Sequence, residues 1–463
     1  MNRSIACTLF VTTALLSLAL AVPAQAVNWE NQGYSPGIDG FNPHETTISA
    51  SNVANLALAW QSSTTDINGV FAMVEDNGRI FVQSNDQNGV GDVVALDSTG
   101  AELWKASLGS GIGVSSSGLT VSGGRVFAQC SRGSQTAGLC ALSQKTGKLS
   151  WFDNLWNTQL EPFGGSISRP TSANGVVFFA SSLCPDVYNE GSCSYAVNAS
   201  SGQVLWMTET PANGCCGDGG TVVPGPAVSP ANKLVYVPCD YIFDGNNLLH
   251  FFGMCTYNTS DGSFVWNYDS ATPNSTGPQG AMGMSVVGNT VYFQESNDQD
   301  SNGLDNLSAL NAQTGAVLWT FNAPFSYHDN VQPTVAKGDV YFPDGNGTLW
   351  ALKEQTGATL WSNSTWAGGE CSPVGGPNGT ESQPQVVNGV VFITTSCSNL
   401  GFNFTDTFAL AASNGTVLWQ GSECCAGNAS GAAPIIVNGE LYADCYSVCA
   451  FTLPGGAHRP VTH

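Results

Sequence analysis

Two pairs of adjacent cysteines, Cys215-Cys216 and Cys424-Cys425, have the most unusual spacing of any reactive residues in this chain. A disulfide between sequence neighbours is strained. Adjacent Cα atoms sit about 3.8 Å apart across a trans peptide, whereas disulfides ordinarily span about 4.4–6.8 Å. Strain of that kind collects at functional surfaces; the alternative is that each cysteine of a pair bonds elsewhere. A second pattern, Asp298-Gln-Asp300-Ser-Asn302-Gly303, has the D-x-D-x-N-G spacing of a calcium loop, with Asp305 as a further oxygen donor. Asp86, Asn88 and Asp92 form its counterpart nearer the N-terminus. The same residue types also build Asn/Asp/Gly turns that hold no metal. The chain has no nucleophile elbow, no HExxH and no CxxCH haem site.

The elements that must position these groups repeat. ALDSTGAELW ends at Trp104, ALSQKTGKLSW at Trp151, AVNASSGQVLW at Trp206 and TYNTSDGSFVW at Trp266. ALNAQTGAVLW closes at Trp319, ALKEQTGATLW at Trp361 and ALAASNGTVLW at Trp419. Each unit reads as a β-hairpin: a short strand, a polar turn with Gly, then a strand closing on Trp. A further pair of strands precedes each, as in QPTVAKGDVYF at 332–342. Four strands every 42 to 60 residues is the period of a propeller blade. Trp60 in NLALAW has no hairpin partner before it, and CAFTL at 449–453 has no last strand after it. Pairing 56–60 with 449–453 completes an eighth blade and leaves no open sheet edge. The expected fold is therefore all-β, an eight-bladed propeller over 56–454, preceded by a lead-in at 27–55 and followed by a flexible tail at 455–463. Matches recur four blades apart: Gln83 onward with Glu295 onward, the strand ending at Cys184 with that ending at Cys397, and the two Cys-Cys pairs. They point to a duplicated four-blade unit.

In such a ring the inter-blade loops and the loops between second and third strands share one face. Both Cys-Cys pairs precede an innermost strand and fall on that face near the axis. Cys130 with Cys140, Cys184 with Cys193, Cys239 with Cys255, and Cys445 with Cys449 flank second-to-third strand loops, where antiparallel neighbours reach bonding distance. Cys371 and Cys397 remain to pair. Residues entering the innermost strands can face the central channel, which makes Asp218, His328, Asp329, Asn330, Glu381 and Gln383 polar candidates. Solvated loop decoration is the plainer reading of each. Arg169 is one of few cations placed this way and is suited to an anionic ligand.

Residues 1–26 read as a secretory leader: Arg3, an apolar run from Leu9 to Val22, then Ala24-Gln25-Ala26. No later apolar run approaches the roughly 18 residues of a spanning helix. Without the leader the chain carries 14 cysteines, 11 basic and 34 acidic residues. An even cysteine count in an exported chain favours disulfides, so a secreted or periplasmic location is expected. The acidity argues against nucleic acid or an anionic membrane as partner. Only 10% of residues are charged, so few ion pairs are lost on acidification and an acidic habitat would suit the protein. Asn-x-Ser/Thr sites such as Asn198, Asn346 and Asn403 would carry glycans in a eukaryotic secretory path.

The Trp-closed hairpins, together with the entry segment GFNPHETTISASNVANLALAW at 40–60, resemble the pyrroloquinoline quinone (PQQ) dehydrogenase superfamily, and in that segment the polyvinyl-alcohol-dehydrogenase-like quinoproteins. The resemblance implies a cofactor stacked between a Trp and a vicinal disulfide in the channel mouth. Calcium would polarise the quinone, and an Asp would accept the alcohol proton. Carried over, it makes Cys215-Cys216 the platform and, through HDNVQP at 328–333, Asp329 the base, with electrons leaving to a separate acceptor. The chain is smaller than typical family enzymes, its Cys pair is doubled, and no stacking Trp or calcium-binding Glu/Asn set can be placed. Two functions follow. One is a non-catalytic propeller binding a protein or glycan through its loop face. The other is a PQQ- and calcium-dependent dehydrogenase of alcohols, polyols or sugars.

Overall fold

The computed structural model describes residues 28–85, 88–109, 118–131, 137–153, 167–181, 193–209, 225–243, 249–269, 283–296, 305–323, 331–344, 347–364, 382–399, 402–421, 432–445 and 447–455. They form eight four-stranded antiparallel sheets. Blades one to seven each use four consecutive strands. Blade eight joins the strand Ala57–Gln61 to the three C-terminal strands, with Ala57 opposite Thr452 and Gln61 opposite Cys449. The orphan strands at the two ends of the chain thus pair with one another.

Second and third strands read as apolar runs because neighbouring blades cover both of their faces. In Gly91–Leu96, for example, every residue is buried. Fourth strands alternate, since one face meets solvent, as the pattern of Glu102–Gly109 shows. Each outer Trp then locks its blade to the next. Trp60 Nε1 donates to Ser98 O at 3.0 Å, Trp104 to Gln144 O at 2.9 Å, Trp206 to Thr259 O at 2.9 Å and Trp361 to Ala412 O at 2.9 Å. The ring packs onto the hairpin glycine of that next blade, where any Cβ would collide with it: 2.4 Å from Trp60 at Gly100 and 2.6 Å from Trp319 at Gly357. Those glycines also lie at positive φ, +80° and +66°, as the turn demands. Blade eight has no such hairpin, so Trp419 donates instead to Leu56 O at 3.1 Å and meets Phe451 edge-on.

The lead-in does more than enter blade eight. Residues 29–42 run round the axis and touch every innermost strand in order. Trp29 exchanges two backbone hydrogen bonds with Glu75 of blade one, and Glu30 O accepts from Val121 N of blade two. Asn31 Oδ1 accepts from Ser172 N of blade three at 2.8 Å. Pro36 O, Gly37 O, Asp39 O and Gly40 O then accept from Val228, Val286, Val335 and Val386 of blades four to seven. Asn42 Nδ2 closes the circuit on Ile436 O of blade eight at 2.9 Å. The inward N–H groups that a ring of short strands would leave unpaired are satisfied by this belt.

Candidate ligand recess on the propeller axis

Strand register aligns the eight innermost strands and identifies, three residues before the belt contact in every blade, one ring of positions about the axis. Aligning Val74, Thr120, Thr171, Ala227, Ser285, Thr334, Gln385 and Ile435, which pair equivalently with their second strands, places Ala72, Gly118, Arg169, Gly225, Gly283, Gln332, Gln383 and Ala433 in that ring. Five of the eight are Gly or Ala, so the long side chains of blades three, six and seven have the axis to themselves.

Arg169 reaches across it. Its Nη1 lies 3.5 Å from Gln332 Oε1, three blades away, and its Nε has no hydrogen-bond partner. The flanking ring positions are glycines for a steric reason. A Cβ on Gly118 would stand 2.9 Å from Arg169 Cγ and 2.1 Å from Gln32 Oε1, and one on Gly225 2.9 Å from Arg169 Cβ. Desolvation pulls the Arg169 pKa below the ordinary guanidinium range, although the group remains a cation at any ordinary pH. Gln383 is buried and donates through Nε2 to Ile38 O of the belt at 2.8 Å. Ser168 and Ser382, which precede Arg169 and Gln383, make matching bonds: Ala180 N and Thr394 N donate to their hydroxyls at 2.9 Å each. The kinship of blades three and seven extends to the residues beside the axis.

The expected metal ligands that the structure describes are not gathered with Arg169. Asp92 sits buried in blade one, where Lys105 Nζ holds its carboxylate at 3.0 Å while also bonding Asp66 at 3.1 Å. Asn88 is exposed, and Asp305 opens the strand Asp305–Asn311 of blade five. Among the described residues no three His, Cys, Asp or Glu side chains converge as metal ligands. Asp86, Asp298, Asp300, Asn302, Asp218, His328, Asp329, Asn330, Glu381, Cys184, Cys215, Cys216, Cys371, Cys424 and Cys425 lie outside the described residues. The described part of the axis therefore offers PQQ one guanidinium, and offers calcium no ligand set.

Cysteine placement follows one rule in the even blades. Cys130 and Cys140 are bonded across a diagonal, with Cα atoms 5.8 Å apart, because Cys140 faces Ala128 two residues before Cys130. Blade four repeats the geometry with Cys255 opposite Val237, and Cys255 is disulfide-bonded; Cys239 lies opposite Gly253. Blade six closes the same diagonal without sulfur: Trp350 faces Phe342, and its Nε1 donates to Asp344 at 2.8 Å. Cys193 is disulfide-bonded at the head of its strand, and Cys397 faces Phe404 in blade seven. In blade eight Cys445 is disulfide-bonded, and Cys449 is buried opposite Ala443, two residues before Cys445. Cys445 has already left the ladder, its N–H donating to Ser447 O in the turn at 2.8 Å.

A cluster missed from sequence lies where the belt enters blade one. Burial pushes the Glu75 carboxyl up to about 8, reinforced by Asp76 and Glu440. Gly78 N donates to its Oε1 at 2.6 Å, and its Oε2 has no hydrogen-bond partner. Tyr442, opposite in blade eight, donates its hydroxyl to Glu440. Asp39 of the belt is raised to about 6, again by burial. The only sequence signal for this cluster was a pair of carboxylates ending an otherwise apolar strand.

No helix among the described residues is long and apolar enough to cross a membrane. In comparisons with known proteins, this architecture is widely shared. The chain is 16% identical to quinohemoprotein alcohol dehydrogenase from Comamonas testosteroni, with a TM-score of 0.63 over 94% of this chain and 82% of that one. It is 15% identical to BamB from Moraxella catarrhalis, with a TM-score of 0.54 over 87% of this chain and 99% of that one. At such identities these likenesses establish the fold alone. A curated relative, the outer membrane protein assembly factor BamB of Yersinia pestis, is 27% identical over 270 residues, 54% of this chain and 58% of its own length. The chain thus aligns with little more than half of that relative. The family model described as outer membrane protein assembly factor BamB, a PQQ-repeat model, matches residues 44–237, 153–319 and 301–457. Those overlapping matches span nearly the whole propeller, and the chain belongs to this family of PQQ-repeat propellers.

Proposed function

We propose that this chain is an exported, non-catalytic binding propeller that receives a protein partner on the face formed by its inter-blade loops. The observation that carries the reading is the composition of the axis. The ring of innermost positions holds three Gly, two Ala, two Gln and one Arg, and no carboxylate, imidazole or thiol. The belt of residues 29–42 is bonded to the innermost strands beneath it. Amides and a guanidinium bind and orient; none of them takes a proton from an alcohol at neutral pH. The relative from Yersinia pestis and the matching family model, both described as an outer membrane protein assembly factor, support a role in binding a protein partner.

A second reading draws on Arg169, a cation on the axis that suits an anionic cofactor. In it the chain is a PQQ- and calcium-dependent dehydrogenase, with Cys215-Cys216 as platform and Asp329 as base. One experiment separates the two. The protein is incubated with PQQ and calcium, desalted, and examined for quinone absorbance and for dye-linked oxidation of alcohols and sugars. The binding reading expects neither above a heat-denatured control. Retained quinone with turnover lowered by Asp329→Asn would overturn it.

A further inference from the structure

We propose that Arg169, Gln332 and Gln32 form an oxyanion-binding recess on the propeller axis, which takes the carboxylate or phosphate group of a small ligand. Arg169 is half-buried, and the protein around it desolvates its guanidinium. Its contact with Gln332 Oε1, at 3.5 Å, is at the limit of a hydrogen bond, and its Nε makes none. Among the described residues no carboxylate is paired with it; the two ion pairs there both belong to Lys105. A desolvated guanidinium that no described counter-charge neutralises is costly to a fold. Gln32 Oε1 also lies buried without a partner beside it, against Gly118.

The steric design has the same sense. Gly118 and Gly225 let the Arg169 stem lie close against their backbones, where a Cβ at either position would collide with it. Across the axis, Gln332 brings an amide whose NH2 end can turn toward a bound oxygen. A planar fork with one free Nε–H, an adjacent Nη and facing amides matches a carboxylate or phosphate better than it matches a spherical halide. The recess does not depend on whether the loop face serves a partner or a cofactor.

Isothermal titration of the full chain with succinate, oxalate, inorganic phosphate and chloride, each separately at low ionic strength, tests the proposal. Saturable binding of at least one oxyanion, and none of chloride, is the expected result. Arg169→Gln should weaken that binding about 10- to 100-fold, the range of one charge-assisted hydrogen bond. Arg169→Lys keeps the charge without the fork and should fall between the two. Gln332→Met removes the facing amide and covers the case in which a variant at 169 fails to fold; it should weaken binding several-fold. The proposal is overturned if no oxyanion binds the parent protein at millimolar concentration, or if the variants that fold bind as the parent does. Chloride competing at equal concentration would mark the site as a general charge sink and also overturn it. PQQ titrated alongside identifies the source of the carboxylate: binding abolished by Arg169→Gln assigns the recess to that cofactor, while succinate binding alone assigns it to a small free acid, and both outcomes uphold the recess.

Discussion

Replacing Gly357 with Ala isolates the lock that joins the blades, and Gly389→Ala is its control. Both glycines lie at positive φ, +66° and +82°. Forcing alanine into that region costs about 1–2 kcal/mol at either site. The two differ in what the new methyl meets. At Gly389 nothing lies within 4 Å, whereas at Gly357 the methyl would stand 2.6 Å from Trp319 Cε3 and 2.9 Å from its Cδ2. Trp319 cannot swing aside without losing its 2.9 Å bond to Glu354 O and its contact with Tyr292, at 6.0 Å between ring centroids. Overpacking of that kind adds about 1–3 kcal/mol. Gly357→Ala should therefore lose about 2–5 kcal/mol and Gly389→Ala about 1–2 kcal/mol. Equilibrium unfolding in urea, followed by tryptophan fluorescence, measures both. Thermal midpoints discriminate less well, because at this chain length 1 kcal/mol moves them by only roughly 1 °C. Equal losses in the two variants would refute the lock as the origin of the repeated Gly and Trp.

Three further outcomes follow from the belt, the buried carboxylates and the disulfide. Asn31→Ala removes the acceptor for Ser172 N and Thr120 Oγ1 and the donor to Ser172 O, all buried, and should destabilise the protein by about 2–4 kcal/mol in the same urea titration. Glu75 has a folded pKa of about 8, above its ordinary 4.5, so the native state holds the extra proton between those values. Stability should fall as pH rises from about 4.5 to 8, and Glu75→Gln should flatten that slope; an unchanged slope would show that Glu75 is not its source. Replacing Cys130 and Cys140 with Ser opens a loop with a sequence separation of 10 and should cost about 2–3 kcal/mol, while peptide mapping without reduction should find the two linked in the parent.

The blades were legible in the sequence because their causes are local. A hairpin with Gly at its turn and Trp at its end is specified within about ten residues, and ring closure followed from counting one strand to spare at the N-terminus and one too few at the C-terminus. The cation at Arg169 was visible for a similar reason: in a chain with 12 basic residues its place before an innermost strand stands out. The belt was not legible. Residues 29–42 have no period of 2 or 3.6, because their hydrogen bonds go one at a time to eight different blades.

By itself, then, the chain's own order of residues determined the number of blades, their closure and the packing of Trp on Gly, all of which are nearest-neighbour properties of a repeat. What faces what across the axis was decided only by the tertiary structure. Arg169 and Gln332 are 163 residues apart in sequence and meet because eight twisted sheets close into a circle, and Asn42 reaches Ile436 across 394 residues for the same reason. Closing the ring makes neighbours of residues whose separation no local pattern records, and it does so where the innermost strands are short of partners and the side chains must supply them.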